Sequence, residues 1–240
     1  KLLSCQTVVD RNMTVEVPQK EKTAILTSGA AASIAADPVK EGYLIAFDIG
    51  TTTVVCFLLS PAGEELAVES MLNPQAAFGA DVISRIQAAL RGELEQETQA
   101  IREGMTSLIL QVCGDTQIDP AEIGVVSVVG NPAMQQLFLG ISPENLAGVP
   151  FAPVLTEAKT IPCGDILPIC PNAVMLIIPD ISGYIGADTM GCILSTELYK
   201  KEETTLMVDI GTNGEMVLGN KHRMIACSTA AGPALEGANI

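Results

Sequence analysis

The residues of this chain best suited to chemistry lie in two stretches of the same layout. In Tyr43 to Leu59, YLIAFDIGTTTVVCFLL, an apolar run ends at Asp48, and Gly50, Thr51, Thr52 and Thr53 precede a second apolar run. In Thr204 to Leu218, TTLMVDIGTNGEMVL, the pattern returns with Asp209, Gly211, Thr212, Asn213, Gly214 and Glu215. A carboxylate at the end of a buried strand is costly to desolvate and needs a cation, a hydrogen-bonding shell or water. Glycine lets backbone pass close to a ligand, and hydroxyls with successive amides hold phosphate oxygens. Asp48 suits Mg²⁺, which takes a carboxylate together with waters and substrate phosphate. The alternative for either stretch is an ordinary hairpin whose Asp accepts turn amides. Glu215 either orients a water or stands as a solvated strand residue. The repetition favours chemistry: two such hairpins, about 160 residues apart, predict a cleft in which Asp48, Asp209 and Glu215 serve a bound nucleotide.

Other candidates are thinner. Asp180 and Asp188 flank glycines after an apolar run; Asp180 reads as a water or Mg²⁺ contact and Asp188 as a helix cap. Gly232 and Gly237 fall where a helix would begin and present amides to phosphate. Cys163 and Cys170 bracket CGDILPIC, a spacing unlike cluster motifs, and read as structural. His222, the single histidine, sits in a polar turn and reads as solvated.

The elements that position these residues follow from periodicity. The first hairpin leads through Pro61-Ala62-Gly63 to a third strand, Glu65 to Met71, and Asn73-Pro74 breaks the meander. Helical spacing covers Ala80 to Leu90, and again Glu93 to Val112 with Ile101, Met105, Leu108, Ile109 and Val112 on one face. Val125 to Val129 is a buried strand, Ala133 to Leu139 a helix closed by Gly140, and residues 141–171 are proline-rich and irregular, with room for a strand or two. Val174 to Ile178 is a strand and Ala187 to Leu198 a helix. The second hairpin and a strand at Met224 to Cys227 follow. Three strands, then alternating helix and strand, make an α/β ribonuclease-H-like unit with a mixed five-stranded sheet and helices on both sides. The expected division is 1–18, two short strands; 19–42, a linker; 43–203, the first unit; and 204–240, the start of an incomplete second copy.

Composition narrows the function classes. A net charge of −15 argues against nucleic acid and anionic membranes as partners. With 48% apolar residues, 3% aromatics and no Trp, small aliphatic side chains must do the packing. No apolar run reaches the roughly 18–20 residues needed to span a bilayer. Seven scattered cysteines without a close pair show neither a zinc cluster nor a disulfide framework, so a reducing cytoplasm is expected. Lys1 at the start and the glycine-rich segment before Ile240 lead us to expect a piece of a longer protein.

The paired DIGTTT and DIGTNGE stretches resemble the phosphate motifs of the sugar-kinase, actin and chaperone ATPase superfamily. More narrowly, LNPQAAFGADVISRI (Leu72 to Ile86), VVGNPAM (Val128 to Met134), PDISGYIGAD (Pro179 to Asp188) and CSTAAGPALEGANI (Cys227 to Ile240) resemble the reductive activators of corrinoid proteins. That resemblance spans Gly42 to Ile240. It implies an ATPase, using ATP and Mg²⁺, that drives an electron from a plant-type ferredoxin domain onto the cobalt of a corrinoid methyl carrier, Co(II) to Co(I). LLSCQTVV is similar to the last cluster-binding segment of such a ferredoxin, so residues 1–18 would end that domain and Cys5 would be one ligand of a [2Fe–2S] cluster. The adenosine-binding segment would lie beyond Ile240. The electron donor leaves no trace in the sequence, and a homodimer is compatible with it. Two other readings share the fold: a small-molecule kinase, and a binding module switched by nucleotide.

Overall fold

The computed structural model describes residues 42–164 and 166–230. Cys5, Gly232, Gly237 and residues 1–41 lie outside the described residues.

Three strands open the first unit as a meander: β1 (Tyr43–Ile49), β2 (Thr53–Leu59) and β3 (Glu65–Leu72). Helices α1 (Val82–Ala88) and α2 (Leu94–Thr116) follow. Next come β4 (Ile123–Gly130), α3 (Pro132–Leu139), β5 (Lys159–Pro162), β6 (Val174–Ile177) and α4 (Ala187–Ser195). The sheet order is β3-β2-β1-β4-β6-β5, with β1, β4 and β6 parallel and the other pairs antiparallel. This is the mixed α/β sheet expected from the sequence, with one strand more than the five counted there. The sixth, β5, lies in the irregular stretch that has room for a strand or two outside the five counted for the sheet. It has only four residues and ends in Pro162, which an edge strand tolerates because an outward position needs no ladder N–H.

Alternation in β1 sends Ile45, Phe47 and Ile49 into the core under α1, α2 and α3, and Asp48 to the other face. The α2 stripe of Ile101, Met105, Leu108, Ile109 and Val112 is buried throughout. Asp81 caps α1 in a reciprocal arrangement with Ser84. Between α1 and α2 the chain turns through a wide loop of helix, Ala89–Glu93, where Gly92 takes φ 102°. Pro132 opens α3 with its fixed φ, and Gly140 closes it in the left-handed region.

The second sheet is an antiparallel meander of β7 (Thr205–Ile210), β8 (Asn213–Asn220) and β9 (Arg223–Ala230). Helix α4 lies between the sheets. Gly191 meets Val129 of the first, while Ile193 joins Leu198, Met207, Val217 and Ala226 in a small core on the second. The opposite face of the second sheet, with Leu206, Val208, Ile210, Leu218 and Ile225, is exposed among the described residues. No helix of the described residues is long and apolar enough to cross a membrane.

Candidate active site

The first hairpin turns tightly at Gly50, where a Cβ would come within 2.7 Å of the Thr53 carbonyl. That backbone approach leaves no room for a side chain. The turn is held from behind. Asn73, extended before Pro74, donates from Nδ2 to the Gly50 carbonyl at 2.8 Å. Arg85 donates from Nη2 to the Thr51 carbonyl at 2.7 Å. Asn131 caps α3 through the Met134 amide and donates from Nδ2 to Thr51 Oγ1 at 3.0 Å.

The second hairpin sets Asp209 directly opposite Glu215 on neighbouring strands. Its turn is closed by the Gly211 amide donating to the Asn213 carbonyl at 2.9 Å. The two turns meet: Thr52 Oγ1 and Thr212 Oγ1 share a hydrogen bond of 2.9 Å. Between them lies a cleft of about 140 Å³ lined by Asp48, Gly50, Thr51, Thr53, Asp209, Gly211, Thr212, Asn213 and Glu215, and also by Asn131 and Asp188. Residues of both repeated stretches thus face one space. Thr52 bridges the turns at its rim, and Gly214 is buried in β8.

The third acid arrives with α4. A Cβ on Gly186 would come within 2.4 Å of the Gly130 carbonyl, so glycine there lets α4 start against the end of β4. Asp188, in the first turn of α4, accepts the Thr189 amide at 2.7 Å and faces the cleft. Burial pushes its carboxyl up, and Asp209 adds to the rise. Glu215 is pushed up to about 7, first by burial and then by Asp188 and Asp209, while the Ser228 hydroxyl donating at 2.9 Å pulls it down. The Cys192 thiol, 3.6 Å from Asp209 Oδ2, is driven to about 12 by burial and the same carboxylates, so it stays a donor.

Asp180 is set apart from this wall. It is 4% exposed, neither carboxylate oxygen has a hydrogen-bond partner, and burial with Asp188 nearby raises it to about 8. The Ala187 amide offsets part of that rise although its geometry falls short of a hydrogen bond. Cys163 is fully buried, Cys170 is partly buried, and His222 is exposed. Asn73, Arg85 and Cys192 were not read as site residues from the sequence. For Asn73 and Asn131 a usable signal exists: both stand directly before a proline, extended, with a side chain left free to cap or to bind.

Residues 43–201 match the family description "RACo middle region", and residues 203–240 match "C-terminal domain of RACo the ASKHA domain". The chain belongs to the RACo family. Among curated relatives it is 42% identical over 202 residues to the corrinoid activation enzyme RamQ of Eubacterium limosum, covering 82% of this chain and 34% of that protein. It is 28% identical over 210 residues to the [Co(II) methylated amine-specific corrinoid protein] reductase of Methanosarcina barkeri, covering 82% of this chain and 38% of that protein. The solved structure of a reductive activator for a corrinoid, iron-sulfur protein superposes with a TM-score of 0.80 at 37% identity, over 83% of this chain and 32% of that one. This RACo-family chain therefore spans about a third of the length of each of these relatives.

Proposed function

We propose that this chain is the ATP-hydrolysing part of a reductive activator, in which hydrolysis is coupled to moving an electron from an iron–sulfur domain onto the cobalt of a corrinoid protein, Co(II) to Co(I). The observation that carries the reading is the convergence of four carboxylates and two Gly-Thr turns on one small cleft. The family match and the corrinoid-directed names of the relatives support it.

At about 140 Å³ the cleft is smaller than the roughly 300 Å³ at the low end of ligand pockets. It fits the phosphate end of a nucleotide, with sugar and base outside. Thr51, Thr53, Thr212 and the backbone around Gly50 and Gly211 would take the phosphate oxygens. Mg²⁺ fits the donor set. Asp188 and Glu215 are raised partly by neighbouring carboxylates, a strain that a divalent cation relieves. No three His, Cys, Asp or Glu side chains among the described residues form a metal cage, which accords with a preference for one or two carboxylates plus water and phosphate. Asp48 would hold the ion, whose contribution when bound is to neutralise phosphate charge.

Hydrolysis needs a water oxygen to attack the terminal phosphorus while the bond to the bridging oxygen breaks, releasing ADP and phosphate. In this reading Glu215 would accept the water's proton, and a carboxylate raised to about 7 suits that task at neutral pH. Once the phosphate leaves, the two turns lose a shared ligand, and the sheets they end can change their angle. That motion would be transmitted to the cluster domain, to which Cys5 would contribute a thiolate, and to a corrinoid protein partner.

The test uses the full-length protein. Asp48→Ala or Asp209→Ala is expected to lower the ATP hydrolysis rate by about 100-fold or more. Hydrolysis at the parent rate in both variants would overturn the assignment. Reduction of Co(II) corrinoid protein that proceeds equally without ATP would overturn the coupling.

A further inference from the structure

Arg85 is the largest fully buried side chain among the described residues, and it does not line the cleft. A guanidinium taken out of water ordinarily finds a carboxylate, because an uncompensated buried charge is expensive. Arg85 has neutral partners instead. Nε donates to the Gly79 carbonyl at 2.9 Å, Nη1 to Met134 Sδ at 3.2 Å, and Nη2 to the Thr51 carbonyl at 2.7 Å. No carboxylate of the described residues reaches it as an ion pair. Its charge stands at the back of the first turn, with the Glu97 and Asp81 carboxylates in electrostatic reach but neither bonded to it.

The neighbouring bonds show what that placement does. Three successive carbonyls of the turn each accept a bond from the scaffold. Gly50 O takes Asn73 Nδ2 at 2.8 Å, Thr51 O takes Arg85 Nη2, and Thr52 O takes the Asn73 amide at 2.9 Å. In a planar trans peptide the N–H points opposite to the preceding carbonyl. Drawing the Gly50 and Thr51 carbonyls inward therefore turns the Thr51 and Thr52 amides outward, away from the scaffold; Thr51 lines the cleft and Thr52 bonds the opposite turn. A charged donor on the Thr51 carbonyl also polarises that peptide and makes the Thr52 N–H a stronger donor.

We infer that Arg85, with Asn73, is a positioning residue that holds the first turn with its amides aimed at the terminal phosphates of the nucleotide and supplies a positive charge behind them. The role rests on the nucleotide-cleft reading above and adds to it what keeps one wall rigid and electropositive in a strongly acidic chain. Arg85→Lys retains a cation but loses the planar fork that spans Gly79, Met134 and Thr51 at once.

The experiment measures binding of MgATP and of adenosine to full-length parent and Arg85→Lys proteins by calorimetry, with melting midpoints recorded with and without each ligand. The expected result is a loss of MgATP affinity of about ten-fold or more, as for a charge-assisted bond, with adenosine affinity unchanged and a smaller MgATP-induced rise in midpoint. MgATP affinity within about two-fold of the parent would overturn the role. So would an equal loss for both ligands, which would mean a general disturbance of the fold. A parent protein that binds MgATP no better than adenosine would sink the cleft reading itself, a result told apart by needing no variant. Arg85→Met, close in volume and uncharged, tests the charge; if it fails to fold, Arg85→Lys alone decides.

Discussion

Behind the Gly50 turn stand Asn73, Arg85 and Asn131, each with a hydrogen bond to it, and behind those the main core. Behind the Gly211 turn stands a three-stranded sheet with one face on α4 and the other exposed among the described residues. The sequences of the two turns are nearly the same, and their foundations are not. The difference teaches that a repeated motif does not imply repeated mechanics. One wall of the cleft is fixed by a scaffold, while the other, among the described residues, rests on a small core, the Cys192–Asp209 contact and the Thr52–Thr212 bond, which suits the proposal that it moves when a shared ligand leaves.

The largest effects should come from the two cores. Phe138→Ala empties a fully buried site in the first and should cost about 3–5 kcal/mol, whereas Val217→Ala in the second should cost about 2 kcal/mol. Chemical denaturation read separately for each unit would break the comparison if Val217→Ala proved the costlier. A middle-sized effect should follow pH. Glu97 is fully buried in α2, both its carboxylate oxygens lack partners, and burial raises it from 4.5 to about 7 against the pull of Arg85. Its protonated form is the one the fold favours, so its contribution is complete below 4.5 and is lost as pH rises through about 7. The gap in urea midpoint between Glu97→Gln and the parent should therefore widen in the variant's favour from pH 5 to pH 8. A gap that stays flat would show that Glu97 titrates as an ordinary carboxylate. The smallest effect belongs to the bridge between the turns. Thr52→Val should change stability by about 1 kcal/mol or less, yet alter the hydrolysis rate if the turns move together. A rate identical to the parent's would leave the second wall no mechanical tie through that bond.

Much of this was legible in the sequence. Asp48, Asp209 and the Gly-Thr turns announce themselves because an acid at the end of a buried strand is costly anywhere else. The stripe of α2 and the break before Glu93 follow from helical spacing and glycine. Arg85 was not legible, because an arginine between apolar helical residues has the pattern of a solvated position, and only the fold turns that position toward Gly79 and Thr51. Asp188 reads as a cap and does accept an amide in the first turn of α4, but its place beside Asp209 depends on how closely Gly186 lets that helix approach. The sequence of residues 141–171 allows for a strand or two, but the place of the edge strand at Lys159 was hidden by its length and its proline.

The wide turn at Gly92 sets up an encounter that a straight helix would forbid. Twelve residues separate Arg85 from Glu97, which in one continuous α-helix would place them about 18 Å apart along the axis. Because the chain kinks through a positive-φ backbone angle at Gly92, the buried acid of α2 comes within electrostatic reach of the buried base of α1. A Cβ at Gly92 would meet no atom within 4 Å, so the position is reserved for glycine by torsion and not by crowding. One backbone angle between the two helices thus tunes how much positive potential reaches the underside of the first turn.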